Sequence, residues 1–230
     1  MANGTTGCGT IFRISSSGTF STQFTFPSDG SMGCNPQDTL IQHTNGVLYG
    51  ETVGGGANNN NHGMFFSLNA SLPAFVKFLP VAGKVNATIE FLGQGFTGTT
   101  AVAFNGTAAT FTVMSDTYLT AKVPSGATTG RVSVTTPTGK LASITNFRVT
   151  PQIRSFTPAS GPVGTPVTIT GVSLIQTNQV TFGGVKATAF TVNSDTQVTA
   201  TVPVGAKTGK IGITTPGGTA LSATNFVVTQ

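Results

Sequence analysis

In the last third of the chain, apolar residues alternate with Thr, Ser and Gln in short runs, and each run stops at a turn signal. Thr165-Pro166-Val167-Thr168-Ile169-Thr170-Gly171 alternates toward a glycine and predicts a first strand. Gln179-Val180-Thr181-Phe182 predicts a second, ended by Gly183-Gly184, and Ala187 to Val192 a third, ended by Asn193-Ser194-Asp195. Val198, Ala200 and Val202 then alternate with Gln197, Thr199 and Thr201 up to Pro203, and Lys210 to Thr214 and Asn225 to Thr229 complete the set. Short strands separated by regular turn signals are the pattern of a β-sandwich, with one face of each strand buried and a Thr-rich face in water. The buried row is then Val167, Ile169, Val180, Phe182, Phe190, Val198, Val202, Ile211, Ile213 and Phe226. No long stretch carries apolar residues at helical spacing.

The same pattern occurs one copy earlier. Phe104 matches Phe182, Phe111 matches Phe190, and Ser115-Asp116-Thr117 matches Ser194-Asp195-Thr196. Val123-Pro124, Thr136-Pro137 and Asn146-Phe147 match Val202-Pro203, Thr215-Pro216 and Asn225-Phe226. Phe78, Pro80 and Gly83 match Phe156, Pro158 and Gly161, so the first copy opens near residue 75. Its buried row is Ile89, Phe91, Val102, Phe104, Phe111, Leu119, Val123, Val132, Val134 and Phe147. A tandem repeat of this length marks a modular chain. The expected division is 1–74, 75–152 and 153–230. The four prolines between Pro151 and Pro166 predict a stiff junction between the copies.

Composition agrees. Only 7% of residues are charged, against roughly a quarter in a typical soluble protein, while 38% are hydrophobic and 17 are Phe. That apolar content argues against disorder. The net charge of +5 is scattered singly rather than clustered, which speaks against a nucleic-acid footprint. Residues 1–74 hold one basic and three acidic groups, so the positive charge lies in the two copies. No run of apolar residues is long enough to span a membrane, and the start, MANGTTGCGTIF, has neither the basic nor the apolar region of a signal peptide. The chain is then either cytosolic or a mature or excised piece of a secreted protein, and the second is the expectation.

The opening of the second copy, Ile153-Arg154-Ser155-Phe156-Thr157-Pro158-Ala159-Ser160-Gly161-Pro162-Val163-Gly164-Thr165, resembles that of IPT/TIG domains, as do its NSDTQVTATVP and TTPGG elements. The resemblance implies immunoglobulin-like β-sandwiches. The first copy departs at its opening, with Ala82, Lys84 and Asn86 where the second has Ser160, Pro162 and Gly164. Residues 1–74 differ. Gly9-Thr10-Ile11-Phe12 returns loosely as Gly63-Met64-Phe65-Phe66, with Gly-rich turns between. The strings GCGTIFRISSSG and LYGETVGGGANNN resemble the GloVer-type tandem repeats of large bacterial secreted proteins, which implies an incomplete propeller-blade-like β unit. The fold class expected is therefore all-β: an N-terminal propeller-like unit followed by two immunoglobulin-like sandwiches.

Reactive chemistry is sparse. The six carboxylates are Asp29, Asp38, Glu51, Glu90, Asp116 and Asp195. Asp116 and Asp195 occupy equivalent Ser-Asp-Thr turns and read as Asx-type turns, bonding backbone two residues on. Asp29, Asp38 and Glu51 are the only nearby set that could flank a glycosidic bond. His43 and His62 are the only histidines, and no Gly-x-Ser-x-Gly nucleophile turn occurs. Gly54-Gly55-Gly56 lacks the following Lys of a phosphate loop, and Asn58 to Asn61 read as a polar turn rather than a calcium site. Cys8 and Cys34 are open to a disulfide, to free buried thiols or to a reactive thiol. Trp is absent, and Tyr49 and Tyr118 are the only tyrosines. The alternation puts Tyr118 on an outward row with Thr120 and Lys122, as an exposed candidate ligand contact.

The function expected is a non-catalytic extracellular bacterial surface or secreted module for adhesion, binding or spacing, without cofactor or metal. Its partners would be another protein chain, copies of itself through β edges, or a glycan. One alternative is a fibre subunit assembled through open β edges, and another is a carbohydrate-binding accessory module of a secreted hydrolase.

Overall fold

A computed structural model describes residues 7–56 and 62–230. It has strands and no helix among them, and it divides into two compact units, Met1–Ala74 and Phe75–Gln230.

The first unit holds β1 (Thr10–Ile14), β2 (Phe20–Thr25), β3 (Cys34–Pro36), β4 (Ile41–Gln42), β5 (Leu48–Gly54) and β6 (Met64–Leu68). β1 and β2 form an antiparallel hairpin. β5 is the centre of a second sheet: β3 and β4 share one of its edges, and β6 pairs along the other. The core beneath is small. Phe26 is buried and meets Phe24 and Phe66 edge to face. Aromatic and aliphatic side chains remain exposed on both sheets, including Phe12, Ile14, Phe20, Ile41, Val53 and Phe65.

The second unit contains both copies. The first runs through β7 (Phe75–Leu79), β8 (Ala82–Gly83), β9 (Thr88–Leu92), β10 (Ala101–Phe104), β11 (Thr107–Ala109), β12 (Phe111–Ser115), β13 (Tyr118–Lys122), β14 (Gly130–Thr136) and β15 (Gly139–Val149). The second runs through β16 (Gln152–Thr157), β17 (Ser160–Gly161), β18 (Pro166–Val172), β19 (Gln179–Phe182), β20 (Val185–Lys186), β21 (Phe190–Ser194), β22 (Gln197–Thr201), β23 (Gly209–Thr215) and β24 (Gly218–Val228). In the second copy one sheet has the order β16-β18-β22-β21 and the other β17-β24-β23-β19-β20. The first copy repeats both. There, however, β7 joins the two sheets, pairing parallel with β15 at Phe75 and Val76 and antiparallel with β9 from Lys77 onward.

Alternation explains the cores. Every member of the two expected rows is buried except Phe111 and Phe190, which are half-buried at the start of the edge strands β12 and β21. Two residues that break the alternation, Phe96 and Leu174, are also fully buried, because each loop after β9 and β18 folds its apolar residue back into the sandwich. Edge-to-face ring pairs knit the first core through Phe78, Phe91, Phe104 and Phe147, and the second through Phe182 and Phe226.

The structure refines three local expectations. The run from Ala187 to Val192 is not one strand: the chain leaves β20 in one sheet and enters β21 in the other, so the pattern spans a sheet change. The stiff junction from Pro151 to Pro166 is itself built of strand: β16 and β17 lie within it, and only Thr150 and Pro151 separate β15 from β16. The departure at Asn86 leaves the opening turn intact. Asn86 and Gly164 both have positive φ, 72° and 90°, and their amides donate to the Val123 and Val202 carbonyls at 2.9 Å. Asn is one of the few side chains that adopts this conformation readily.

Candidate functional site

The side chains that gather chemistry lie in the first unit, on the outward face of β4, β5 and β6. Antiparallel pairing puts Ile41 opposite Tyr49 and Glu51 opposite Phe65, so strand alternation alone brings all four to one face. Tyr49 and Phe65 are diagonal neighbours; their rings are nearly parallel, 16° between planes, with centroids 5.6 Å apart. Phe65 is 72% exposed and Ile41 71%. His43, in the turn between β4 and β5, stands edge-on to Tyr49 at 6.0 Å. That turn fixes the histidine: the Asn45 amide donates to Nδ1 at 3.4 Å and the His43 amide to the Val47 carbonyl at 2.9 Å.

Asp38 and Glu51 complete the face. With Ile41, Tyr49 and Phe65 they line a cleft of about 270 Å³. Their carboxyl groups are hydrogen-bonded to one another, and this bond, followed by the Asp38 charge, holds the Glu51 carboxyl above its usual range. A hydrogen-bonded carboxyl pair is closer than the about 5–5.5 Å between the two carboxyls of a retaining glycosidase or the wider gap of an inverting one. Asp29, the third member of the expected set, accepts instead from the amide and hydroxyl of Ser31 at 2.9 and 2.7 Å, in a turn of its own. No group of three or more His, Cys, Asp or Glu side chains among the described residues could hold a metal ion. Asn58 to Asn61 lie outside the described residues.

Tyr118 is half-buried rather than exposed. Its hydroxyl donates to Glu90 on the neighbouring strand, and burial followed by the Glu90 charge raises its pKa. Outward direction in the pleat does not ensure access when a cross-strand partner takes the polar end. Cys8 and Cys34 are joined in a disulfide.

Asp116 and Asp195 do not form local Asx turns. Asp116 accepts from the amides of Gly95 and Thr97 at 3.2 and 3.1 Å, and Asp195 from those of Ser173 and Ile175 at 3.3 and 3.4 Å. The turn itself is closed by the serine before each, whose Oγ accepts from the amide of Thr117 or Thr196. Each aspartate therefore clasps the loop that carries Phe96 or Leu174 into its core. The Thr97 amide, followed by its side chain and the Gly95 amide, lowers the Asp116 pKa.

The two copies meet through a fitted joint. Gln176, on the loop after β18, accepts from the Thr129 amide at 2.7 Å and donates to the Thr129 carbonyl at 3.4 Å. The Thr129 hydroxyl in turn accepts from the Val149 amide at 3.0 Å, at the last residue of β15. Gly217, in the turn between β23 and β24, approaches so closely that a Cβ there would overlap the Val149 carbonyl.

Two end-to-end immunoglobulin-like sandwiches with the same strand order and turn chemistry define a class of tandem β-sandwich protein. The chain belongs to the IPT/TIG domain family, which matches residues 73–149 and 151–228. No curated protein matches it by sequence. Among solved structures it is similar to the surface glycan-binding protein PbSGBP-B from Prevotella bryantii, at 20% identity and a TM-score of 0.44, over 64% of this chain and 38% of that one. It is also similar to SGBP-B from a complex xyloglucan utilization locus in Bacteroides uniformis, at 24% identity and a TM-score of 0.31, over 66% of this chain and 48% of that one. The extracellular region of Plexin A4 matches at 17% identity and a TM-score of 0.34, over 66% of this chain and 18% of that one. The chain spans less than half the length of each of these three proteins, and at these scores none of them bears on what it binds.

Proposed function

We propose that this chain is a non-catalytic extracellular module that binds and spaces: the two sandwiches form a fixed arm, and the N-terminal unit carries the contact surface. The observation that carries this reading is the joint. Sandwiches linked by two residues rotate freely unless their surfaces fit, and a mobile interface is the default between domains. The bidentate Gln176 contact and the close approach at Gly217 favour one orientation instead. An enzyme has no need of such an arm, whereas a module that presents a surface at a set distance does. The Cys8–Cys34 disulfide supports an extracellular setting, since such bonds persist in oxidising compartments. No helix among the described residues is long and apolar enough to cross a membrane. The three-part division at 1–74, 75–152 and 153–230 follows from this reading. So does a propeller-type repeat for 1–74, which is supported by the return of the β1 pattern in β6.

Small-angle X-ray scattering on the full chain tests the arm. The distance distribution is expected to fit one orientation of the two sandwiches, and that of Gln176→Ala with Gly217→Val is expected to broaden. Identical distributions for the two proteins would remove the argument for a spacer.

A further inference from the structure

We propose that the outward face of β4, β5 and β6 is a glycan-binding site, in which Tyr49 and Phe65 receive the flat C–H face of a pyranose chain and Asp38 and Glu51 bond its hydroxyls. The inference rests on the binding reading above and names its ligand class.

Three features of the face select this chemistry. Its apolar part is aromatic and open: the rings of Tyr49 and Phe65 lie nearly parallel with centroids 5.6 Å apart, and Phe65 is 72% exposed. Its polar part sits in the same cleft and is small, as in sites where a few polar groups orient a ligand over an apolar floor. Those polar groups are two neighbouring carboxyls in the same cleft, whose oxygens can accept from sugar hydroxyls.

The same carboxyls argue against protein as the covering surface. A second copy docking this face on itself by two-fold symmetry would bury four carboxyl groups together. Arg13 is the only basic residue of 1–74. Burying unpaired carboxylates is costly, whereas a sugar leaves them hydrogen-bonded and partly wet.

Isothermal titration of the full chain with cellohexaose and with mannohexaose, both neutral chains with flat apolar faces, tests the assignment. Binding of at least one is expected, weakened about tenfold or more in Phe65→Ala, in line with the energy of an aromatic contact. Glu51→Gln is expected to weaken it several-fold. Phe65 is exposed, so the variant should keep its thermal midpoint, and Glu51→Gln provides a second readout that removes no ring. Absence of binding to both hexasaccharides overturns the proposal, as does binding that neither variant changes. Binding of hexalysine in place of the sugars, lost in Glu51→Gln, would make the face a cation site. Self-association abolished by Phe65→Ala, with no sugar bound, would make it a contact between copies. The Gln176→Ala variant is expected to bind sugar as the parent does, so failure of the arm and failure of the site give different results.

Discussion

Replacing Ser222 with Ala should destabilise the second sandwich by about 2 kcal/mol, a large effect for the loss of one oxygen. The reason lies in the pairing of β23 with β24. Lys210 faces Asn225 and Gly212 faces Leu221, so residues 222–224 bulge out and leave Ile211 without a backbone partner. The Ser222 hydroxyl fills the gap, accepting from the Ile211 amide at 2.9 Å and donating to the Thr224 carbonyl at 2.7 Å. Ser222 and Ile211 are both buried, so no water replaces the lost acceptor, and an orphaned buried amide costs about 1–3 kcal/mol. Thr224 is exposed, and its carbonyl turns to solvent at little cost. For a domain of this size the urea slope is about 1 kcal/mol/M, so the midpoint of the affected transition should fall by about 2 M. Hydrogen exchange should show the Ile211 amide losing protection first. Leu221→Ala, next door but exposed, should change stability by no more than about 0.5 kcal/mol. A Ser222→Ala midpoint within about 0.5 M of the parent, with Ile211 still protected, would refute the reasoning. The first sandwich supplies an internal replicate. Ser143 accepts from the Val132 amide at 3.1 Å and donates to Thr145, so Ser143→Ala should behave alike in the other transition.

The remaining predictions concern the clasp, the disulfide and the carboxyl pair. Because the Asp116 pKa is lowered, its contribution is present above the ordinary carboxylate range and is lost as pH falls through the folded value. Asp116→Asn should therefore lower the thermal midpoint of the first sandwich at pH 7 and reduce its loss between about pH 4 and pH 2, and parallel curves for the two proteins would contradict this. The Cys8–Cys34 bond closes a sequence separation of 26 residues, which by loop entropy stabilises the first unit by about 3.5 kcal/mol. The Cys8→Ser/Cys34→Ser pair should lower that unit's unfolding midpoint and leave the sandwiches unchanged, while thiol titration of the denatured parent should find none free before reduction. Glu51 has a raised pKa, so its effect on stability has the opposite sign: favourable at low pH and lost as pH rises through the folded value. Glu51→Gln should thus gain stability relative to the parent between about pH 4 and pH 7, as read from paired melting curves, and a constant difference would contradict the raised pKa.

The sandwiches were legible because their information is local and stated twice. Val167, Ile169, Val198 and Val202 declare themselves by alternation, and the second copy confirms the phase of the first. What alternation could not reveal were roles set across the fold. Asp116 reads as a turn residue because the turn is adjacent, yet its carboxylate reaches loop amides about twenty residues back, which Ser115 leaves it free to do. Phe96 and Leu174 break the period because they enter the core from loops. Ser143 and Ser222 look like ordinary polar positions until the bulge beside each is known. For Asp116, Ser143 and Ser222 the available signal was a polar residue kept at the matching position of both copies.

The candidate site was missed for a related reason. Alternation alone makes Tyr118 an outward-facing candidate contact. The pleat does turn Tyr118 outward, but Glu90 sits diagonally across the pair and claims its hydroxyl. Tyr49 had no second copy to be compared with, and its neighbours Asp38, Ile41 and Phe65 are scattered over 28 positions of sequence, so only the register of three strands brings them together. That register was predictable in principle. Once β4, the Asn45-Gly46 turn and β5 are read as a hairpin, Ile41 must face Tyr49, and continuing to β6 sets Phe65 across from Glu51. The proposed site thus falls on the unit with the weakest sequence signal: an exposed face does not carry the buried, periodic pattern by which strands announce themselves.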